Sequence, residues 1–122
     1  MVKPVALIVE DDPGLGEVFS IALKNEFETE IIVEGNAALT RLAQIVPAVV
    51  VLDLHLPGSS GKVIFKHIRS DHRLTKTRII LCTADVHEAE TLREEVDIVL
   101  LKPVSPIQLR QLASRLNEVK ED

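Results

Sequence analysis

A chain of 122 residues, 46% of them hydrophobic, carries enough apolar surface for one core and no more. A net charge of -5 argues against nonspecific nucleic-acid binding, and with three Phe and no Trp or Tyr there is no base-stacking platform. No apolar run reaches the ~18 residues of a membrane span, Met1 leads into no signal-peptide pattern, and a single cysteine, Cys82, excludes an internal disulfide, so a cytoplasmic protein is expected.

Val5-Ala6-Leu7-Ile8-Val9 reads as a strand buried on both faces, the kind found in a parallel sheet between helices, and it ends in acid at Glu10-Asp11-Asp12. Asp12-Pro13 supplies an N-cap and a first-turn proline, and Leu15, Val18, Phe19, Ala22 and Leu23 then recur at helical spacing to about Asn25. A second strand over Glu30-Ile31-Ile32-Val33 ends in Glu34, which suits a sheet edge. Gly35-Asn36 is expected to be the loop and cap of a helix from Ala37 to Ile45, stopped by Pro47.

Val49-Val50-Val51-Leu52 is the third strand, with Asp53 at its exit. Burying an unpaired carboxylate costs more than a strand end gains, so Asp53 is expected in an open cleft, with Pro57-Gly58 turning the chain beyond it. After the loop Gly58-Ser59-Ser60-Gly61, the residues Val63, Ile64, Phe65 and Ile68 mark a helix. Strand four, Thr77 to Cys82, exits into Thr83-Ala84-Asp85. Asp85 and Glu88 read as a reciprocal capping pair for a helix from Val86 to Glu95. Strand five, Asp97 to Leu101, exits into Lys102-Pro103. Ser105-Pro106 with Gln108 caps a last helix whose apolar face is Leu109, Leu112, Ala113 and Leu116.

Strands alternating with crossover-length helices imply an α/β fold with a parallel sheet and helices on both faces, whose site lies beyond the carboxyl ends of the strands. Four of the five strand exits carry a chemically capable residue: Asp11, Asp53, Thr83 and Lys102. Neighbouring parallel strands lie about 4.8 Å apart, so acids leaving strands one and three fall within reach of one ion. Like charges at about 4 Å repel by roughly 4 kcal/mol at an effective dielectric of 20, so Glu10, Asp11 and Asp53 together need a counterion. Oxygen ligands without a His or Cys cluster favour Mg²⁺. Lys102 adds an ammonium and Thr83 a hydroxyl, a set suited to phosphoryl transfer with Asp53 as the nucleophile.

Over essentially its full length the sequence resembles the receiver domain of two-component response regulators. The resemblance is carried by Val9-Glu10-Asp11-Asp12, Leu52-Asp53 with Pro57 and Gly61, Thr83-Ala84, and Lys102-Pro103. It implies a flavodoxin-like, doubly wound (βα)5 fold with strand order 2-1-3-4-5, and one receiver domain over residues 1–122 without an output domain in this chain. It further implies Asp53 as phosphoacceptor, Asp11 and Asp53 as Mg²⁺ ligands, Glu10 acting through a metal-bound water and His55 through its backbone carbonyl. Lys102, Thr83 and the Ala84 amide would hold the phosphate, Thr83 serving as the switch. His55 and Asp85 are the positions that tune dephosphorylation, although Asp85 also reads as a cap. The Lys102-Pro103 peptide is expected to be cis. The pattern departs from the family at Val99, where an aromatic is usual, and at Glu95-Val96-Asp97, which lacks Gly-Ala. A loop shift around Thr83 and strand five is therefore expected in place of an aromatic rotamer switch.

The function so implied is a phosphorylation-dependent switch. The donor would be a sensor histidine kinase or a histidine phosphotransfer protein, the output an unidentified target, and catalysis limited to the domain's own phosphorylation and dephosphorylation. Neither direct nucleic-acid binding nor membrane contact is expected, and a homodimer through the last two strands and helices is a possibility of the family. The rival reading is a pseudo-receiver that docks without phosphorylation. A phosphatase of the haloacid dehalogenase type would want an Asp at position 55, where His55 stands, and a flavin binder would want a hydroxyl-rich loop after strand one. Cys82 reads as a core residue, and His67, Asp71 and His72 as polar residues on a helix surface rather than a zinc site. Lys62, Lys66, Arg69, Arg73, Lys76 and Arg78 form a basic segment and Asp85, Glu88, Glu90, Glu94, Glu95 and Asp97 an acidic one, each a solvated face or a partner surface.

Overall fold

The computed structural model describes residues 2–118. Its strands are β1 (Val5–Val9), β2 (Glu28–Ile32), β3 (Val49–Asp53), β4 (Arg78–Thr83) and β5 (Ile98–Leu101), all parallel in the order β2-β1-β3-β4-β5. Its helices are α1 (Pro13–Leu23), α2 (Gly35–Leu42), α3 (Gly61–Ser70), α4 (Val86–Leu92) and α5 (Pro106–Glu118), with a 3-10 turn at His72–Leu74. Alternation along the strands divides the core in two. Leu7, Val9, Val50, Leu52, Ile79 and Leu81 pack with Ala38 and Leu42 of α2, Ile64, Phe65 and Ile68 of α3, and Leu92 of α4. On the other side Ala6, Ile8, Val49, Val51, Ile80 and Cys82 pack with Phe19 and Leu23 of α1 and Leu109 and Ala113 of α5. The expected doubly wound fold and strand order are present, and they put β1, β3 and β4, the most apolar runs, at the centre.

Several boundaries differ from the sequence reading, each for a local reason. β2 starts at Glu28 instead of Glu30 because Val5 of β1 pairs with Glu28 and the Glu28 amide donates to Pro4 O at 2.8 Å. α2 starts at Gly35, and its cap is the Glu34 side chain, which accepts from the Ala37 amide at 2.6 Å. It ends at Leu42, where Arg73 reaches over to donate to Leu42 O at 3.1 Å and Ile45 O at 3.0 Å. Arg69 likewise donates to Thr77 O. Part of the basic segment is thus spent on stray carbonyls. The Asp71 carboxylate accepts from the Arg73 amide at 2.9 Å and pairs with its guanidinium at 3.0 Å. β5 begins at Ile98, because Asp97 turns its carboxylate to the Ile79 amide at 2.7 Å and to Arg78 at 3.3 Å.

The expected capping pair at α4 is half present. Asp85 accepts from the amides of His87 at 2.8 Å and Glu88 at 3.1 Å, and α4 ends at Leu92, short of Glu95. The Glu88 carboxylate does not return to the Asp85 amide. It bonds Thr83 and His55 instead, and the Asp85 amide donates to Thr83 Oγ1 at 3.1 Å. The Lys102-Pro103 peptide is cis, as expected.

Candidate functional site

Asp53 is the last residue of β3, and the register that pairs it with Cys82 leaves its side chain at the carboxyl rim, only 4% exposed and not in the open cleft expected for an unpaired acid. Its burial is compensated. Asp53 Oδ2 accepts from Lys102 Nζ at 3.0 Å and Oδ1 from the His55 amide at 3.1 Å. Lys102 comes from the far side of β4, where its own amide donates to Thr83 O at 2.9 Å, and its ammonium also stands 3.6 Å from Glu10 Oε1.

Glu10 follows β1 directly. Its amide donates to Ile32 O at 3.0 Å, which extends the sheet by one bond and turns the side chain inward, 2% exposed. Glu10 Oε2 accepts from the Asp12 amide at 3.2 Å. Burial pushes the Glu10 carboxyl up to about 7; the Asp12 amide and Lys102 pull it down, and the neighbouring Asp53 adds to the rise. Lys102 is drawn down by burial, but the hydrogen bond and charge of Asp53, with that of Glu10, outweigh this and hold it above its ordinary value. Burial likewise pushes the thiol of Cys82, beside Asp53 on the neighbouring strand, up to about 12.

Glu10, Asp11 and Asp53 offer carboxylate oxygens within 4.8 Å of one another. With every acid ionised, the three carboxylates exceed the single Lys102 ammonium by two charges. That excess and an all-oxygen donor set fit a hard divalent cation, which would also relieve the burial cost of Glu10. Asp11 is the exposed member and gives solvent access to the cluster.

Thr83 closes β4, fully buried, its hydroxyl donating to Glu88 Oε1 at 3.2 Å. Ala84 follows it at the exposed exit of the strand. His55, exposed, sets its Nε2 2.8 Å from the same Glu88 oxygen. Val99 pairs with Leu81 and packs into the core layer that contains α3 and α4. Glu88 is the site residue that sequence reasoning assigned elsewhere. Its spacing from Asp85 matched a capping box, and a rule that explained it locally hid its tertiary role.

The loop between β3 and α3 is tightly supported. A Cβ on Gly61 would lie 2.3 Å from Asp53 O, so α3 begins directly behind the Asp53 backbone only because residue 61 is glycine. Gly58 sits at φ 75°, where a side chain is strained. Across the loop, the Gly35 amide donates to Pro57 O at 2.9 Å and Ser59 Oγ donates to Asn36 Oδ1 at 2.6 Å.

Among the described residues, no helix is long and apolar enough to cross a membrane. The family described as response regulator receiver domain matches residues 6–114. The DNA-binding response regulator MtrA of Mycolicibacterium smegmatis is 35% identical over 104 residues, which are 84% of this chain and 46% of MtrA. The transcriptional regulatory protein BaeR of Escherichia coli is 31% identical over 120 residues, 95% of this chain and 48% of BaeR. The chain thus spans about half the length of the curated relatives it matches. Among solved structures, the BeF3-activated DrrB receiver domain superposes with TM-score 0.87 at 26% identity, covering 97% of this chain and 100% of that one. The longer response regulator DrrB of Thermotoga maritima superposes with TM-score 0.84, covering 97% of this chain and 54% of that one. With the matched span covering nearly every element of the fold, this chain belongs to the response regulator receiver domain family.

Proposed function

We propose that the domain is a phosphorylation-dependent switch of a two-component system or phosphorelay, in which Asp53 accepts a phosphoryl group from a phosphohistidine donor. The observation that supports this most is the convergence of Glu10, Asp11 and Asp53 opposite Lys102 at one rim of the sheet. Asp53 attacks phosphorus with a carboxylate oxygen, forming a P–O bond as the P–N bond to the donor imidazole breaks and the electron pair leaves with the imidazole. Lys102, already 3.0 Å from Asp53, neutralises the phosphoryl oxygens as they arrive. In this reading Thr83 and the Ala84 amide, at the end of β4, donate to them. Asp11, Asp53, the His55 carbonyl and, through a water, Glu10 would hold Mg²⁺. The ion supplies charge neutralisation between the acids and the phosphoryl group. Catalysis by the domain is confined to gaining and losing its own phosphate.

The donor is a sensor histidine kinase or a histidine phosphotransfer protein, and the output is a change in affinity for a target. Val86 and Leu101 are exposed on α4 and β5, which supports that side of the domain as the place where a target or a second copy binds. MtrA is a DNA-binding response regulator, and this chain matches 46% of its length. The net charge of -5 favours protein partners over nucleic acid for the domain itself. A pseudo-receiver would have no use for a buried carboxylate held between an ammonium and two further acids. The test is chemical trapping. Borohydride reduces an aspartyl phosphate to homoserine, and after acetyl phosphate treatment a peptide map is expected to show that change at position 53. Its appearance at another acid, or nowhere, refutes the assignment.

A further inference from the structure

The hydroxyl proton of Thr83 already has a taker. Thr83 Oγ1 donates to Glu88 Oε1 at 3.2 Å while accepting from the Asp85 amide at 3.1 Å, and the same Glu88 oxygen lies 2.8 Å from His55 Nε2. An ionised carboxylate only accepts, so Thr83 and His55 both donate to it. Glu88 therefore joins the end of β4, the first turn of α4 and the loop two residues beyond Asp53. The His55 amide in turn donates to Asp53 Oδ1 at 3.1 Å. Helix capping does not account for this placement, since the Asp85 amide, from which a capping Glu88 would accept, donates to Thr83 Oγ1 instead.

We infer that Glu88 is a positioning residue that competes with the phosphoryl group for the Thr83 hydroxyl and so biases the domain toward its unphosphorylated form. The inference rests on the reading of Asp53 as the phosphoacceptor. A hydroxyl donates one hydrogen bond, and for Thr83 to give it to a phosphoryl oxygen it must release Glu88. The incoming negative charge also repels the Glu88 carboxylate, which is then left with His55 as its partner. α4 carries Glu88, so release of Thr83 removes one of two ties between the start of that helix and the end of β4, the Asp85 amide keeping the other. This route from Asp53 to the protein surface needs no aromatic at position 99, where Val99 packs into the core.

The test is a double-mutant cycle read by binding of beryllofluoride, a phosphoryl mimic, in the presence of Mg²⁺ and followed by fluorine NMR. Glu88→Ala removes a charge-assisted competitor and is expected to tighten beryllofluoride binding about tenfold. Glu88→Gln, which keeps an acceptor of the same size, is expected to tighten it less. In a Thr83→Ala background, Glu88→Ala is expected to have no further effect. An equal gain in both backgrounds shows that Glu88 acts by charge or fold alone and overturns the inference, as does an unchanged or weakened affinity. A wild-type protein that binds beryllofluoride no better than Asp53→Asn overturns the phosphoacceptor reading together with it, a result distinct from the other two.

Discussion

The clearest energetic consequence of the site concerns Glu10, whose carboxyl is pushed up to about 7 from an ordinary 4.5, chiefly by burial. A raised carboxyl holds more protons folded than unfolded between those two values, so stability falls as pH rises from about 4.5 to about 7. Below that window the penalty is absent, and above it the penalty is complete. The gap between 4.5 and about 7 corresponds to about 3 kcal/mol, an order-of-magnitude figure for a group only 2% exposed. Glu10→Gln keeps the acceptor for the Asp12 amide but cannot ionise. Without divalent cation, the variant is therefore expected to be more stable than wild type by up to about 3 kcal/mol at pH 8, with the difference closing toward pH 4.5. Urea unfolding followed by far-ultraviolet circular dichroism suits a protein with no Trp. Excess Mg²⁺ binds the folded wild type preferentially and is expected to reverse the order at pH 8. A stability difference that stays constant from pH 5 to pH 8 would refute the claim that a buried, cation-seeking acid sits at position 10.

Lys102→Ala removes an ammonium 3.0 Å from Asp53 and 3.6 Å from Glu10, so it is expected to tighten Mg²⁺ binding several-fold while slowing phosphorylation by acetyl phosphate at least tenfold. Calorimetry and time-resolved mass spectrometry check the two effects, and a loss of both would point to a folding role for Lys102 instead. Gly61→Ala forces a methyl group to within 2.3 Å of Asp53 O and is expected to cost about 2–3 kcal/mol of stability and to impair phosphorylation of the remaining folded protein. Cys82, buried with its thiol pushed up to about 12, is expected to resist alkylation by iodoacetamide at pH 8 and to react fully in urea.

Much of the site was legible because its residues stand where periodicity breaks. The apolar runs ending in Val9, Leu52, Cys82 and Leu101 read as buried strands without help from tertiary structure, and the polar residue after each run had no packing reason to be there. The order of the strands then brought Glu10, Asp11, Asp53 and Lys102 together. What escaped the sequence are contacts that skip across the chain. Arg73 and Arg69 looked like surface charge, yet they satisfy carbonyls of Leu42, Ile45 and Thr77 that no local rule connects to them. Asp97 looked like the first residue of a strand but serves the Ile79 amide on the neighbouring one. Glu88 is the instructive case. A capping box and a tertiary latch call for the same residue at the same spacing, and only the positions of Thr83 and His55 distinguish them.

The central claim, that these strand ends form a phosphoacceptor, is tested most directly by mass. Incubated with acetyl phosphate and Mg²⁺, the intact protein is expected to gain one base-labile phosphate, which is absent from Asp53→Asn and absent when the metal is chelated. An unchanged mass in a protein that still binds Mg²⁺, or a phosphate that persists in Asp53→Asn, would contradict the account.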